Sequence, residues 1–259
     1  MKKYLLWAAL VFFFLVILDM GRSSAGPVNE ITVSAAISLK NAFEEIGKVF
    51  EQKHPQSKIR FNFGASGDLA RQIEGGAPVD VFASAAQKDM DDIDHKGLVM
   101  PGTRMNFAGN SLVLVKSSTF QIRMESFEDL RKAEVKKIVI ANPKSVPAGR
   151  YAEEVLKCLN LWKAVKEKLV FAEHVRQVLD YVARNEVDAA MVYSTDAMVR
   201  PKEVRIVMKA PDKSHQPIVY PIAIVRESKN KSLAKEFTAL VLSTEGKNLL
   251  NKYGFETVK

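Results

Sequence analysis

The chain has 259 residues, enough for one large domain or for two smaller lobes that each have a core. Apolar residues make up 47% of it and charged residues 26%, a balance that is typical of a soluble globular protein and excludes a largely disordered chain. The net charge is +8, but the basic residues are spread along the chain without interleaved aromatic residues. We therefore expect no nucleic-acid partner, although a positive field favours the approach of anionic ligands.

The N-terminus has the three parts of a secretory signal peptide. Two lysines form a basic start, residues 5–18 form an unbroken apolar run, and small residues lead up to Ala25. The run is shorter than the roughly 20 residues that a membrane-spanning helix needs. We therefore predict a signal peptide over residues 1–25 and a periplasmic protein. The alternative is an uncleaved membrane anchor, in which residues 19–21 prolong the apolar helix.

Cysteine and histidine usage narrows the possible chemistry. The single cysteine, Cys158, excludes an internal disulfide, and the lack of a cysteine near Ala25 excludes a lipoprotein anchor. Cys158 lies in an amphipathic stretch, so we expect it to be a small core residue. The four histidines are scattered and do not have the spacing of metal ligands. We expect no metal-ion site, no cofactor and no catalytic residues.

Strands and helices alternate along the first half of the chain. Predicted strands cover residues 31–36, 58–65 and 79–83. A helix that begins near Ser38 has these apolar residues on one face: Leu39, Ala42, Phe43, Ile46 and Phe50. A shorter helix carries Leu69 and Ile73. This βαβαβ series implies a parallel sheet with helices on both faces.

The second half repeats the α/β pattern. Predicted strands cover residues 112–115, 137–141, 169–172, 188–193 and 204–208. Predicted helices cover residues 149–161 and a segment marked by Val175, Val178, Leu179 and Val182. A last strand at 220–225 and a last helix at 232–242 could return to the first sheet. The chain would then cross between two lobes twice, near Gly109 and between Pro217 and Pro221, but periodicity alone supports this return only weakly.

Four turns between a strand and a helix fall where parallel α/β sheets bind ligands, at the carboxyl ends of their strands. They cover residues 35–39, 63–68, 142–149 and 172–175. Each helix start offers free backbone N–H groups and the positive end of the helix dipole. Ser38 and Ser66 add hydroxyl groups, so these turns could hold an anion with neutral donors. Each turn by itself is also ordinary capping or turn chemistry.

Several motifs in these turns resemble a known family. Residues 61–70 (FNFGASGDLA) resemble the second-strand signature of type II periplasmic binding proteins. Further segments resemble the molybdate-binding branch of that family and follow one another in the right order, at 35–39, 70–80, 109–113, 146–152, 173–176, 192–197 and 252–255. The resemblance extends over nearly the whole mature chain.

The resemblance implies an α/β fold of two lobes with mostly parallel sheets, joined by a two-crossing hinge. Lobe I would contain residues 26–108 and 219–259, and lobe II residues 109–218. One tetrahedral oxyanion, molybdate or tungstate, would bind in the cleft of a monomer and pass to the membrane permease of an ABC importer. The implied ligand-binding residues are Ser38 and Ser66 through hydroxyl and backbone groups, Ala148 and Val175 through backbone N–H groups, and Tyr193 through its phenol.

Two positions depart from the family's pattern. Ile37 stands where a small residue usually precedes the serine, and could tighten the pocket or point into the core. His174 stands where an acidic residue is common, and could cap the helix or respond to pH.

Three alternatives stay open at the level of sequence. The same scaffold could bind another oxyanion such as sulfate or phosphate, because sequence does not measure the size of a pocket. A periplasmic enzyme on this fold is disfavoured by the lack of a Ser-His-Asp order or paired carboxylates in the turns. A ligand-sensing domain of a transcription regulator is disfavoured by the predicted signal peptide.

Overall fold

The computed structural model describes residues 29–258, so the predicted signal peptide lies outside the described part of the chain. The strands, in chain order, are β1 (Asn29–Ala36), β2 (Ser57–Gly64), β3 (Val81–Ala83), β4 (Met105–Gly109), β5 (Leu112–Ser117), β6 (Ile138–Ala141), β7 (Leu169–Ala172), β8 (Ala189–Tyr193), β9 (Val204–Lys209) and β10 (Val219–Ile224). They form two five-stranded sheets, which we call the first and the second sheet. Their strand orders are β2-β1-β3-β10-β4 and β7-β6-β8-β5-β9.

Each sheet has one reversed strand among parallel neighbours. In the first sheet β1 pairs in parallel with β2 and β3, while β10 is antiparallel to β3 and β4. In the second sheet β6 pairs in parallel with β7 and β8, while β5 is antiparallel to β8 and β9. All strands of a sheet except the reversed one therefore run in the same direction, as the mostly parallel α/β prediction required.

The helices flank these sheets. In chain order they are α1 (Lys40–Lys53), α2 (Ser66–Glu74), α3 (Gln87–His95), α4 (Pro147–Cys158), α5 (Trp162–Val165), α6 (Val175–Ala183), α7 (Ser194–Ala197), α8 (Lys231–Leu242) and α9 (Thr244–Lys252). Short 3-10 turns cover Ile37–Leu39, Phe127–Arg131, Lys166–Lys168 and Asp212–Ser214. The predicted apolar face of α1 is buried: Phe43, Ile46 and Phe50 are at most 1% exposed. None of the described helices has both the length and the hydropathy to span a bilayer.

The chain passes between the sheets twice. It leaves the first sheet after β4 and enters the second at β5, and it returns from β9 to β10. The reversed strand of each sheet is therefore the first strand after a crossing. Asn110 lies at the first crossing, where its backbone N–H donates to the carbonyl of Ile218 at 3.2 Å, a residue next to the second crossing. The two crossing segments thus run side by side.

The structure corrects the expectation for Cys158, which is exposed and not part of the core. The buried stripe of α4 follows Ala148, Ala152 and Val155 and continues to the partly buried Leu159. Since these residues follow the i, i+4, i+7, i+11 spacing of one helix face, Cys158 lies beside the stripe, on the solvent side.

Five of these strands and helices were not predicted from the sequence: β4, α3, α5, α7 and α9. Each is short, and α3 and α9 carry few apolar residues, as in the α3 sequence QKDMDDIDH. An element with only two or three apolar positions gives too weak a periodic signal to be separated from a loop.

Candidate functional site

The carboxyl ends of strands from both sheets meet at one small pocket. Residues that directly follow β1, β2 and β3 line it on one side, and residues that end or follow β6, β7 and β8 line it on the other. All five residues predicted for ligand contact are among its lining: Ser38, Ser66, Ala148, Val175 and Tyr193. The others are Ala36, Ile37, Gly64, Ala65, Ala85, Val146 and Pro147. Residues from both halves of the chain therefore face one another across a single space.

The pocket is small and is lined by buried residues. Its cavity volume is about 10 Å³, close to the minimum that one water molecule needs. The five predicted residues are each at most 3% exposed. A group in this pocket would be shielded from bulk water, so hydrogen bonds to it would be strengthened by the low local dielectric.

Four helical segments begin at the pocket. They are the 3-10 turn Ile37–Leu39 that leads into α1, and helices α2, α4 and α6. The residues that precede the first three, Ala36, Ala65 and Val146, make no side-chain capping hydrogen bond. Because the first N–H groups of a helix have no acceptor within it, these starts present free donors and the positive ends of their dipoles. Ser66, Ala148 and Val175 each lie in such a first turn.

A glycine brings the start of α4 close to the second sheet. A Cβ placed on Gly149 would lie 2.1 Å from the carbonyl oxygen of Ala141, the last residue of β6. Any other residue at this position would push the helix away from the strand. Gly149 therefore sets the position of the neighbouring Ala148 and of its backbone N–H at the pocket.

The two serine hydroxyls are oriented by their neighbours. The backbone N–H of Ala85 donates to Oγ of Ser66 at 3.0 Å. Oγ of Ser38 lies 3.1 Å from the phenol oxygen of Tyr220, a buried residue of β10. Since Oγ of Ser66 already accepts one hydrogen bond, its proton remains available to a ligand.

Tyr193, the last residue of β8, contributes a buried and unpaired hydroxyl. The side chain is 1% exposed, and its Oη has no hydrogen-bond partner among residues 29–258. Burial raises the pKa of the Tyr193 phenol well above its ordinary value, so the group is a neutral donor at physiological pH. An unsatisfied buried polar group costs about 1–3 kcal/mol. An acceptor in the pocket would remove that cost.

Arginines beside the pocket are neutralised by buried aspartates. Nε of Arg176 lies 2.6 Å from Oδ1 of Asp196, which is fully buried, and Nη2 of Arg150 lies 2.5 Å from Oδ2 of Asp89, which is 2% exposed. Burial raises the pKa of both carboxyls, and the paired arginine offsets part of that increase. The described lining of the pocket itself contains hydroxyl, backbone and apolar groups but no charged side chain. The site therefore offers neutral donors.

Direct contacts close the pocket from both sides. The N–H of Gly67, at the start of α2, donates to the carbonyl of Ser145 at 3.0 Å. Arg176 of α6 donates to the side-chain oxygen of Asn41 at 2.9 Å and to the carbonyl of Ser38 at 3.3 Å. These contacts join residues that follow strands of the first sheet to residues that follow strands of the second, and the arrangement is closed.

The two departures from the family's pattern have separate roles. Ile37 is half-buried, borders the pocket and packs against the hydrophobic core. Nδ1 of His174 accepts a hydrogen bond from the N–H of Gln177 at 3.1 Å, so the histidine caps α6.

Sequence reasoning missed the residues that support the site from behind. Ala85, Asn110, Arg176 and Tyr220 orient its donors or close its sides, yet none is distinctive in sequence. Asn110 lies in the predicted crossing and Tyr220 in a predicted strand, and either would pass for a turn or core residue. Within residues 29–258 no group of three or more His, Cys, Asp and Glu side chains could hold a metal ion.

Comparison with known proteins places the chain in a family. Residues 31–256 match the bacterial extracellular solute-binding protein family. The chain belongs to this family. A relative from Haemophilus influenzae (strain ATCC 51907 / DSM 11121 / KW20 / Rd), the molybdate-binding protein ModA, is 36% identical over 93% of this chain and 95% of its own length.

Two further solute-binding relatives cover nearly the whole chain. A protein from Bacillus subtilis (strain 168), provisionally named ABC transporter substrate-binding lipoprotein YvgL, is 40% identical over 98% of both chains. A solved substrate-binding domain from Clostridium difficile, provisionally assigned to a molybdenum ABC transporter, is 39% identical and superposes with a TM-score of 0.69. It covers 89% of this chain and 99% of its own. The family and the two-sheet α/β fold that the sequence predicted are thereby confirmed, and the family is one of solute-binding proteins.

Proposed function

We propose that this solute-binding protein captures molybdate, and also tungstate, in the pocket between the two sheets and delivers it to an ABC importer. One observation carries the proposal: five residues from both sheets converge on one small pocket, and the phenol of one of them has no hydrogen-bond partner among residues 29–258. The five residues are Ser38, Ser66, Ala148, Val175 and Tyr193, and the unpaired phenol is that of Tyr193. The names of the relatives from Haemophilus influenzae and Clostridium difficile support the choice of anion.

The chemistry of the pocket suits a fully deprotonated oxyanion. Helix starts and hydroxyls supply donors, and within the described part of the chain no carboxylate lines the space. Molybdate and tungstate carry no proton at neutral pH, so each of their oxygens can accept a hydrogen bond. Phosphate at neutral pH keeps a proton that needs an acceptor, and an unpaired buried donor costs about 1–3 kcal/mol. The site therefore disfavours phosphate.

The proposed contact residues come from both lobes, so we expect the lobes to close around the ion. We place lobe I at residues 26–108 and 219–259 and lobe II at 109–218, with the hinge at the two crossings. Ser38 and Ser66 belong to lobe I, while Ala148, Val175 and Tyr193 belong to lobe II. An ion that contacts both sets binds the closed form better than the open one, and that difference in affinity shifts the equilibrium toward closure.

The proposal also covers the export of the protein and its partner in transport. We propose that the signal peptide over residues 1–25 directs the protein to the periplasm, and that it acts there as a monomer that docks on the membrane permease of an ABC importer. The relative from Bacillus subtilis, whose name includes an ABC transporter, supports the partner class. N-terminal sequencing of the exported protein should give Gly26 as the first residue. Recovery of intact residues 1–25 on a membrane-bound form would contradict cleavage.

Calorimetric titration of the mature protein with four anions tests the ligand. We expect tight binding of molybdate and tungstate, weaker binding of sulfate and much weaker binding of phosphate. Ser66→Ala and Ser38→Ala should each lower molybdate affinity about 10- to 100-fold, because each removes a hydrogen bond to a charged group. Ser232→Ala changes an exposed serine of α8 and serves as the control. Equal affinity for phosphate and molybdate, or unchanged affinity in both pocket variants, would overturn the proposal.

A further inference from the structure

A chain of three buried polar side chains leads from the first crossing to the pocket. Nδ2 of Asn110 lies 3.1 Å from the phenol oxygen of Tyr220, and that oxygen lies 3.1 Å from Oγ of Ser38. Asn110 is 7% exposed, Tyr220 is fully buried, and Ser38 is 3% exposed. Only Ser38 of the three lines the pocket. Asn110 and Tyr220 therefore reach the pocket by hydrogen bonds through Ser38, while the ring of Tyr220 also packs against that of Tyr193, with the ring centroids 6.0 Å apart.

The orientation of the Asn110 amide is fixed by its other partners. Its Oδ1 accepts from the backbone N–H of Ser111 at 2.9 Å and from the hydroxyl of Ser194 at 3.0 Å. A backbone N–H can only donate, so the oxygen of the amide must face Ser111. The NH2 group then faces Thr195 and Tyr220, and it donates to both, at 2.9 Å and 3.1 Å.

The direction of the hydrogen bond between Tyr220 and Ser38 follows from that of the bond between Asn110 and Tyr220. Burial raises the pKa of the Tyr220 phenol, which therefore keeps its proton. Its oxygen accepts from Asn110, and the one other polar side-chain atom bonded to it among residues 29–258 is Oγ of Ser38. A buried hydroxyl proton needs an acceptor, so Tyr220 donates to Ser38.

We propose that Asn110 and Tyr220 are positioning residues that hold the Ser38 hydroxyl as a donor directed into the pocket. This inference rests on the proposed function, since it concerns how that site holds its oxyanion. Oγ of Ser38 accepts the hydrogen bond from the Tyr220 hydroxyl and has no further side-chain partner within residues 29–258. Its own proton is therefore left for the ligand, and the three aligned hydrogen bonds polarise one another toward the anion.

We call the hydrogen-bonded chain of Asn110, Tyr220 and Ser38 the relay. It also couples the Ser38 hydroxyl to the second sheet. Asn110 is held by Ser111, which precedes β5, and by Ser194 and Thr195, which begin α7 after β8. Tyr220 belongs to β10 of the first sheet, and Ser38 lies in the turn that follows β1. The donor direction of Ser38 is thus set by groups that lie on the far side of the crossing.

A double-mutant cycle on molybdate affinity tests the relay. Tyr220→Phe keeps the ring and frees the Ser38 proton to occupy three staggered positions, so affinity should fall about threefold. Loss of the aligned hydrogen bonds weakens binding further, so we expect molybdate affinity to fall about three- to tenfold in total. In a Ser38→Ala background the same change should alter affinity less than about twofold. Tyr253→Phe, which removes a phenol bonded to Glu45 away from the pocket, is the matched control.

Asn110→Asp provides a second, sharper variant. A carboxylate at this position accepts from Tyr220 instead of donating to it, so Tyr220 turns away from Ser38 and Ser38 donates to Tyr220. Ser38→Ala should then cost less than about twofold in the Asn110→Asp background, against about 10- to 100-fold in the wild type. Repulsion between the new charge and the anion affects both arms of the cycle equally and cancels.

The outcomes separate this inference from the proposed function. If the wild type binds no molybdate, the proposed function fails. If the wild type binds and Ser38→Ala weakens binding, but Tyr220→Phe is neutral or its effect is unchanged by Ser38→Ala, the relay is wrong. Ligand-free thermal midpoints show whether each variant folds. If Tyr220→Phe does not fold, the Asn110→Asp cycle decides, and a full Ser38 effect in that background overturns the relay.

Discussion

The backbone N–H of Gly67 donates to the carbonyl oxygen of Ser145 at 3.0 Å, and it does so across the mouth of the pocket. Gly67 is in the first turn of α2, next to Ser66, and Ser145 lies in the turn that precedes α4. A Cβ on Gly67 would lie 2.7 Å from the same carbonyl oxygen. The glycine is therefore required by the close approach of the two sides and not by its own backbone conformation.

Gly67→Ala should impair closure without harming the fold. Overpacking of this kind costs about 1–3 kcal/mol, so molybdate affinity should fall roughly 5- to 100-fold, because only the closed form suffers the clash. Alanine favours a helix more than glycine does, so the ligand-free thermal midpoint should not fall. Gly75→Ala, at the opposite end of α2 with ordinary contacts of 3.4 Å and 3.5 Å, is the matched control. Calorimetry and thermal unfolding of both variants check this, and wild-type affinity in Gly67→Ala would contradict it.

Tyr193→Phe should separate ligand affinity from stability. The phenol has no hydrogen-bond partner among residues 29–258, so its removal should leave the protein, measured without ligand, equally stable or up to about 1 kcal/mol more stable. Molybdate affinity should fall about 10- to 100-fold through loss of a hydrogen bond to a charged group. Urea unfolding and calorimetry measure the two effects. A loss of stability with unchanged affinity would place the Tyr193 hydroxyl outside the site.

Ligand binding should both compact and stabilise the wild-type protein. At a ligand concentration 100 times Kd, mass action stabilises the folded state by about 2.7 kcal/mol. For a chain of this length that corresponds to a rise of roughly 5–10 °C in the thermal midpoint. Small-angle scattering should show a smaller radius of gyration with molybdate than without it. A higher midpoint without compaction would mean that the ion contacts one lobe only.

Asp129→Ala should lower stability in a pH-dependent way and leave the site intact. Oδ2 of Asp129 accepts from the N–H groups of Glu125 and Ser126, at 2.7 Å and 3.0 Å, and these bonds, with Lys132, lower the pKa of the carboxyl to about 2. A carboxyl whose pKa is lower in the folded state than in the unfolded state stabilises the fold at pH values above its unfolded pKa of about 4. That stabilisation is lost as the pH falls toward 2.

Loss of this capping carboxylate should cost about 1 kcal/mol at pH 7 and less at pH 3. Urea unfolding at the two pH values measures the difference, and molybdate affinity at pH 7 should be unchanged. Glu128→Ala, in the same turn, removes an exposed ion pair and should have little effect. An equal loss at both pH values would show that the ionised carboxylate is not the cause.

Local sequence sufficed for most of the secondary structure. The period of the apolar residues is set within one segment, so α1 and four strands of the first sheet, β1, β2, β3 and β10, could be predicted from it. Short elements with few apolar residues, such as α3, could not. Turn chemistry pointed to Ser38 and Ser66 as anion donors, whereas Ala148, Val175 and Tyr193 came from the resemblance alone. Ala148 and Val175 act through backbone N–H groups, which every non-proline residue carries, so their identity reveals nothing about a ligand.

The sequence by itself determined the order of most strands and helices, the four turns at the ends of strands and the family. Only the tertiary structure decided how the site is supported. Tyr220 bonds to Ser38 over a separation of 182 residues, and Asn110 bonds to Thr195 over 85. Such pairs exist only where two sheets and two crossings bring the segments together. The physical reason is that a hydrogen bond depends on distance and direction in space, and neither is encoded in the periodicity of a single segment.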